Sequence, residues 1–167
     1  MRRGAPHGPG NAMNMNMAKA TAPPRVLVVD DDPSTVRFLA NRFANIGFEV
    51  EVATNGLQAL ALAGRRHPDI IVADVKMPKL GGIPLCECLM RTGDTRMVTI
   101  VISGADSRDV VPLCNRIGAS FAQKGPGIWA TIERIIAQSF PTVPSRATDS
   151  RAVRPQGQRF TLPRRTT

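Results

Sequence analysis

Residues 68–82 read PDIIVADVKMPKLGG. A short apolar run ends in an acid, Asp74, and a Met-Pro pair and two glycines follow it closely. A continuous apolar run bounded by proline and glycine predicts a strand that is buried on both faces of a parallel sheet. A carboxylate at the end of such a strand is costly unless something pairs with it. Asp74 is therefore a candidate functional residue.

Four further apolar runs flank this strand, and helical patterns separate them. The predicted strands are RVLVV (25–29), FEVEVA (48–53), DIIVA (69–73), MVTIVI (97–102) and ASFAQ (119–123). The second run alternates apolar and polar residues, which predicts a less buried strand. Strands that alternate with helices indicate βαβ units, and therefore an α/β fold with a doubly wound, five-stranded parallel sheet.

The helix boundaries follow from capping residues and from apolar periodicity. Asp32 and Pro33 are typical of the N-cap and first position of a helix, and Asn55 begins the next one. A third helix is predicted from about residue 82 to residue 91. Apolar residues at helical spacing mark the other four helices: Val36, Leu39, Ala40 and Phe43; Leu57, Leu60 and Ala61; Val110, Leu113, Cys114 and Ile117; and Ile128, Ile132, Ile135 and Ile136.

Unusual polar residues follow four of the predicted strands. Asp30, Asp31 and Asp32 follow the first strand, Asp74 the third, Ser103 the fourth and Lys124 the fifth. The carboxyl ends of parallel strands meet at one edge of the sheet, and ligand sites lie there, near the point where the strand order reverses. We therefore expect these side chains to form one site.

This set of side chains suits the transfer of a phosphoryl group. Carboxylates from two strands repel each other, and a hard divalent cation such as Mg²⁺, which prefers oxygen ligands, removes that conflict. A carboxylate can accept a phosphoryl group as an aspartyl-phosphate, a reaction that depends on neutralising the phosphoryl oxygens. Lys124 offers a second positive charge, and Ser103 offers a hydroxyl donor.

Each of these residues also has a purely structural interpretation. Asp32 can cap a helix, Asp74 can belong to a turn, Ser103 can be a loop hydroxyl and Lys124 can be a solvated charge. These interpretations account for the residues singly. They do not account for the right residue types at the right strand ends in the right order.

Residues 25–138 resemble the receiver domain of bacterial two-component response regulators. The motifs that carry the resemblance are VLVVDDDP (26–33), PDIIVADVKMP (68–78), VISGA (101–105) and IGASFAQK (117–124). The resemblance implies a flavodoxin-like (βα)5 fold. It also implies that a histidine kinase or a phosphotransfer protein phosphorylates Asp74. Asp31 and Asp74 would bind Mg²⁺ directly, Asp30 would bind it through water, and the backbone carbonyl of Lys76 would complete the protein ligands.

Other positions match the family or depart from it. Ser103 and Phe121 fall on the family's switch hydroxyl and switch aromatic. The family usually has proline directly after the lysine, in a cis bond, whereas residues 124–126 read Lys-Gly-Pro here. Residues 81–82 are both glycine, where the family often has an acid or asparagine before glycine. These glycines are expected to let the backbone approach the site closely.

The two ends of the chain are predicted to be disordered. Residues 1–24 and 141–167 lack apolar periodicity and are rich in proline with glycine or arginine, which leaves 25–140 as the receiver domain. The net charge of +9 is concentrated in these ends, with +3 in residues 1–24, +5 in residues 139–167 and only +1 in residues 25–138. A nearly neutral middle argues against a nucleic-acid-binding core and leaves weak binding through the basic tail open.

The cysteines and the lengths of the apolar runs indicate the cellular compartment in which we expect the protein. Cys86, Cys88 and Cys114 lack metal-ligand spacing and are interpreted as reduced thiols of a cytoplasmic protein. Because Cys86 and Cys88 are two residues apart in a predicted helix, they should point to different sides. No apolar run approaches the roughly 18 residues of a membrane span, and no signal-peptide core follows Arg2 and Arg3.

The sequence therefore predicts a single-domain response regulator that signals by phosphorylation-dependent docking or by phosphorelay. The 27 residues after residue 140 are too few and too polar for an output domain. The protein would catalyse only its own phosphorylation and dephosphorylation, so no enzyme activity on a separate substrate is expected. A phosphorylation-dependent dimer is left open. The alternatives are a degenerate receiver that acts as a constitutive interaction module, and a nucleic-acid-associated regulator that uses the basic tail.

Overall fold

One parallel sheet of five strands organises the part of the chain that the structure, a computed structural model, describes, namely residues 22–91, 96–104 and 107–140. The elements are β1 Arg25–Val29, α1 Pro33–Asn45, β2 Glu49–Ala53, α2 Gly56–Arg66, β3 Ile70–Asp74, α3 Gly82–Met90, β4 Val98–Ser103, α4 Ser107–Arg116, β5 Ser120–Gln123 and α5 Ile128–Ser139. The predicted alternation of strands and helices is confirmed. The prediction of disordered ends concerns residues that lie, apart from residues 22–24, outside the described ranges.

The strand order is β2-β1-β3-β4-β5, which confirms the flavodoxin-like, doubly wound fold. The order reverses between β1 and β3, and Val29 pairs with Ala73 at the carboxyl ends of these strands. The residues that follow this pair, Asp30 and Asp74, therefore lie side by side at the switch point. Every residue of β3 is buried, whereas β2 is only partly buried, as its alternating sequence predicted.

Helices cover both faces of the sheet. Helices α1 and α5 pack on one face, where the Trp129 ring meets Phe43 edge-on at 5.2 Å between ring centroids. Helices α2, α3 and α4 pack on the other face. In a sheet covered on both faces, a ligand site forms at the carboxyl ends of the strands.

The helix boundaries agree with the capping residues, but one helix packs through an unforeseen side. The Asp32 side chain caps α1 by accepting hydrogen bonds from Ser34 N and Thr35 N. Helix α2 begins after its N-cap Asn55, as predicted, yet the residues that it buries are Gly56, Ala59 and Ala63. Leu57, one of the residues that marked the helix, is 55% exposed. At Gly56 the backbone of α2 lies too close to Leu80 for a larger residue.

The cysteines behave as the spacing predicted. Cys86 is buried and Cys88 is exposed on α3, and Cys114 is buried on α4. All three thiols are free. Among the helices that the structure describes, none has the length and apolar character needed to cross a bilayer.

Candidate functional site

Three acidic residues meet at the switch point of the sheet. Asp30 directly follows β1 and is 0% exposed, and Asp74 ends β3 and is 5% exposed. Asp31 lies beside them and is exposed. Each of the three offers a carboxylate oxygen, and these oxygens all lie within 4.8 Å of one another. The sequence prediction that these acids form one cluster is therefore confirmed.

Lys124 reaches this cluster from the last strand. Its Nζ atom lies 2.7 Å from Asp30 Oδ2 and 2.9 Å from Asp74 Oδ1. Its backbone N–H donates to the carbonyl of Ser103 at 2.8 Å, which extends the pairing of β5 with β4 by one residue. The glycine between Lys124 and Pro126 therefore does not prevent the lysine from reaching both acids. Gly125 adopts φ +153°, a backbone conformation that side-chain-bearing residues rarely adopt, and no cis peptide bond occurs in the described residues.

Backbone amides orient the two buried carboxylates. The N–H of Asp32 donates to Asp30 Oδ1 at 2.9 Å. The N–H of Lys76 donates to Asp74 Oδ2, also at 2.9 Å. Sequence reasoning missed both donors, since any residue except proline carries a backbone N–H and so leaves no signal in the sequence. Together with Lys124, these bonds fix which oxygen of each carboxylate faces the lysine.

The pKa values reflect a competition between burial and pairing. Burial raises the pKa of Asp30 above its usual value and outweighs the hydrogen bonds from Lys124 and Asp32 N, which lower it. Burial alone would lower the pKa of Lys124, but hydrogen bonds to Asp30 and Asp74, together with their charges, raise it. Lys124 therefore keeps its positive charge in this partly buried site.

The donor set suits a hard divalent cation. All candidate side-chain ligand atoms are carboxylate oxygens, and the cluster holds three carboxylates but one ammonium, which contacts two of them, so negative charge is in excess. Asp30 Oδ2 is buried and contacts Lys124 Nζ at 2.7 Å, and beyond this contact it has no hydrogen-bond partner among the described residues. Such a group has capacity for a further positive partner. Small divalent cations that demand oxygen ligands fit this chemistry.

Ser103 and Phe121 lie on the neighbouring strands β4 and β5. Ser103 ends β4 and is 2% exposed, and β4 pairs with β3 up to the contact of Ile102 with Asp74. Phe121 lies on β5, is partly buried and packs against the core formed with α2, α3 and α4. The pairing thus places Ser103 beside the end of β3, whereas Phe121 lies level with Val101 on the strand beyond β4. Their role as a switch remains a prediction, as does the Lys76 carbonyl as a ligand.

Glycines bring the loop after β3 close to the site, as predicted. A Cβ atom at Gly82 would overlap the carbonyl oxygen of Asp74, and one at Gly81 would lie 2.7 Å from the carbonyl oxygen of Val75. Real Cβ atoms do not come this close to backbone atoms. Glycine is therefore required at both positions for the loop to fold back onto the end of β3.

Comparisons with known proteins agree with this geometry. The response regulator receiver domain family matches residues 26–122, which is more than half of the chain. The probable transcriptional regulator ycf27 of Porphyra purpurea is 37% identical over 93 residues, or 56% of this chain and 35% of that protein. The chain thus spans about a third of the length of the curated relatives that it matches.

Two solved structures show the same fold. The chemotaxis protein CheY4 of Vibrio cholerae has a TM-score of 0.64 and 26% identity, over 71% of this chain and 100% of that one. A chain of the CheX-CheY-BeF3-Mg complex from Borrelia burgdorferi has a TM-score of 0.65 and 28% identity, over 72% of this chain and 92% of that one. With its acidic cluster at the switch point and its match over residues 26–122, the chain belongs to the response regulator receiver domain family.

Proposed function

We propose that this receiver accepts a phosphoryl group on Asp74 from a histidine kinase or a phosphotransfer protein, in a reaction that depends on Mg²⁺. One observation carries the proposal. Asp74 lies within 4.8 Å of two other carboxylates and contacts Lys124 Nζ through Oδ1 and Lys76 N through Oδ2. The Borrelia burgdorferi relative forms a complex that contains BeF3 and Mg, which supports the same chemistry here.

The proposed reaction transfers the phosphoryl group between two protein side chains. A carboxylate oxygen of Asp74 forms a bond to phosphorus while the bond from phosphorus to the donor histidine nitrogen breaks. The carboxylates of Asp30, Asp31 and Asp74, with the carbonyl of Lys76, would hold Mg²⁺, which neutralises phosphoryl oxygens. Lys124 lies close enough to Asp74 to supply the second counter-charge. The chain would thus catalyse its own phosphorylation and dephosphorylation and act on no separate substrate.

The proposed output is a change in a docking surface. A phosphoryl group adds roughly −1.5 to −2 charge. Because the backbone N–H of Lys124 donates a hydrogen bond to the carbonyl of Ser103, the new charge acts where β4 and β5 end. In the proposal Ser103 moves toward the phosphoryl group and Phe121 changes its packing. The face that contains β4, β5, α4 and α5 then binds a target protein, passes the signal on by phosphorelay or forms a dimer. We place this activity in the cytoplasm, where histidine-kinase signalling delivers its phosphoryl groups.

Mass spectrometry of the intact protein tests the proposal. Incubation with acetyl phosphate and Mg²⁺ should add the mass of one phosphoryl group, and addition of a chelator should prevent the gain. Asp74→Asn should gain no mass. Asp109→Asn, a matched change at an exposed position of α4, should gain it as wild type does. A wild-type protein that stays unmodified would favour a receiver that acts only by constitutive protein binding.

A further inference from the structure

We infer that the first turn of α2, through Gly56, positions the phosphorylation loop, residues 75–81 between β3 and α3. The inference rests on the proposed function, because this loop carries Lys76. Gly56 does not touch the acidic cluster itself. It acts through the loop and is a positioning residue for the reaction at Asp74.

The backbone of α2 and the backbone of the loop are in direct contact. The N–H of Gly56 donates to the carbonyl oxygen of Leu80 at 3.2 Å. A Cβ atom at position 56 would overlap that same oxygen and would lie 2.8 Å from Leu80 Cβ. Because the closest atom belongs to the backbone, a change of side-chain rotamer cannot relieve the overlap. Any side chain at position 56 must therefore move either the loop or the start of α2.

The opposite side of the loop is also held. The N–H of Gly82 donates to the carbonyl of Val75 at 3.2 Å, and the N–H of Val75 donates to the carbonyl of Ile102 on β4 at 3.0 Å. A Cβ atom at Gly82 would overlap the carbonyl oxygen of Asp74. The loop therefore contacts the end of β3 on one side and the start of α2 on the other. Because backbone contacts hold the loop at both sides, a displacement at Leu80 should spread along the loop.

Lys76 is the residue through which such a displacement reaches the site. Its N–H holds Asp74 Oδ2 at 2.9 Å, and its carbonyl is the proposed backbone ligand of the cation. A shift of the loop would alter both the orientation of the Asp74 carboxylate and the position of this carbonyl. Losing a group that supports metal ligands typically costs about 10–100-fold in metal affinity.

The first turn of α2 is itself fixed by a reciprocal cap. Asn55 Oδ1 accepts a hydrogen bond from Gln58 N at 3.0 Å, and Gln58 Oε1 accepts one from Thr54 N at 2.9 Å. Paired bonds of this kind satisfy the free amides at a helix start and hold the entering chain. The first turn of α2 is therefore held in place and can fix the position of the loop that contacts it.

The test compares Gly56→Ala with Gly64→Ala. Gly64 lies in the same helix, and a Cβ atom there would meet no atom within 4 Å. In metal-free protein, NMR should show the Lys76 amide resonance shifted in Gly56→Ala and unchanged in Gly64→Ala. Calorimetric titration should give Gly56→Ala an Mg²⁺ dissociation constant on the order of tenfold higher than wild type. With acetyl phosphate, Gly56→Ala should need correspondingly more Mg²⁺ for half-maximal phosphorylation.

The outcomes separate this inference from the proposed function. A wild-type Mg²⁺ affinity and an unshifted Lys76 amide in folded Gly56→Ala would overturn the inference. Absence of phosphorylation in wild type and in Gly64→Ala would overturn the proposed function, and the NMR and calorimetric comparisons would still decide the inference. If Gly56→Ala does not fold, Gln58→Ala removes the cap of Thr54 N without adding atoms to the interface. It should weaken Mg²⁺ binding while Gln58→Glu, which keeps the acceptor, does not; equal binding by both would overturn the inference.

Discussion

Lys124 Nζ lies 2.9 Å from Asp74 Oδ1, although β4 lies between the strands that lead to these two residues. The side chain of Lys124 passes the end of β4, and its backbone N–H donates a hydrogen bond to the carbonyl of Ser103 there. It thereby links the switch point of the sheet to the two strands that carry Ser103 and Phe121. The same ammonium neutralises the buried Asp30 at 2.7 Å, so one cation serves two carboxylates.

Lys124→Met should destabilise the protein at neutral pH. The substitution leaves Asp30 and Asp74 buried without their cation, and removing one partner of a buried ion pair costs on the order of 3 kcal/mol. The deficit should shrink in acid, where Asp30, whose pKa is raised by burial, is protonated and needs no counter-charge. Urea unfolding in metal-free buffer, at pH 7 and in acid, measures this loss of free energy of unfolding. Lys79→Met, at an exposed position of the phosphorylation loop, is the control and should unfold as wild type does.

Asp30→Asn should stabilise the metal-free protein at neutral pH. Burial raises the folded-state pKa of Asp30 above its unfolded value of 3.8, so ionisation of this residue opposes folding. The penalty is absent well below pH 3.8, grows as the pH rises through the folded-state pKa and is complete above it. The stability gain of Asp30→Asn should therefore be present at pH 7 and vanish in strong acid. Mg²⁺ should stabilise wild type and not the variant.

The pKa of Asp32 is shifted in the opposite direction, so its contribution to stability depends on pH with the opposite sign. The N–H of Ser34, followed by the Thr35 hydroxyl, lowers the folded-state pKa of Asp32 below 3.8. Its contribution to stability is thus present above pH 3.8 and is lost as the pH falls through the folded-state pKa. Asp32→Ala should lose stability at pH 7, whereas Asp30→Asn gains it. If both changes shift the unfolding midpoint in the same direction at pH 7, the role assigned to burial at Asp30 is wrong.

Much of the fold and the site was predictable because strong local signals agreed with one another. The apolar run before Asp74 predicted a buried strand, and all residues of β3 are buried. Asp32 and Pro33 predicted the start of α1, and the cap is formed as expected. The parallel topology then required Asp30 and Asp74 to meet, because the carboxyl ends of neighbouring parallel strands share one edge.

Features that depend on close approach in three dimensions could not be predicted. Nothing in the residues around Leu57 shows that α2 would bury Gly56 instead, because the cause is the backbone of Leu80, which lies 24 positions after Gly56. The amide donors to Asp30 and Asp74 carry no residue signature. The double contact of Lys124 depends on the path of its side chain past β4, and strand order alone does not determine it.

The three cysteines should differ strongly in reactivity. Burial raises the pKa of Cys86 to about 12, and burial also raises the pKa of Cys114, whereas Cys88 is exposed. Because the thiolate is the reactive species, iodoacetamide at neutral pH should label Cys88 first in the folded protein. Peptide mass spectrometry identifies the labelled site. Cys88→Ser should abolish the fast reaction, and urea should expose all three thiols; rapid labelling of Cys86 in native buffer would contradict the packing of α3.

Deletion of residues 141–167 should leave phosphorylation of Asp74 intact, because every residue assigned to the site lies between residues 30 and 124. The deletion removes six arginines and one acid. If the basic tail binds polyanions, the full chain should be retained on heparin at low salt and released steeply as salt rises, since such binding rests on counterion release. The truncated protein should not be retained. Retention that survives truncation would place the basic surface elsewhere in the chain, either in residues 1–24 or in the receiver domain.

Phe140 is the last residue that the truncated chain keeps, and its contacts indicate that the folded domain extends to this residue. Its N–H donates to the carbonyl of Ile136 at 2.7 Å, and its ring meets Phe48 edge-on with 6.2 Å between centroids. A chain that ends at Phe140 keeps this contact, which seals the side of the core formed by α1 and α5. Phe140→Ala within that chain should lower the free energy of unfolding by at least about 1 kcal/mol, because an aromatic pair contributes about that much beyond the apolar area that it buries. Urea unfolding of the two proteins measures the difference. Equal stability would mean that the domain ends before Phe140 and that the ring contributes nothing to the fold.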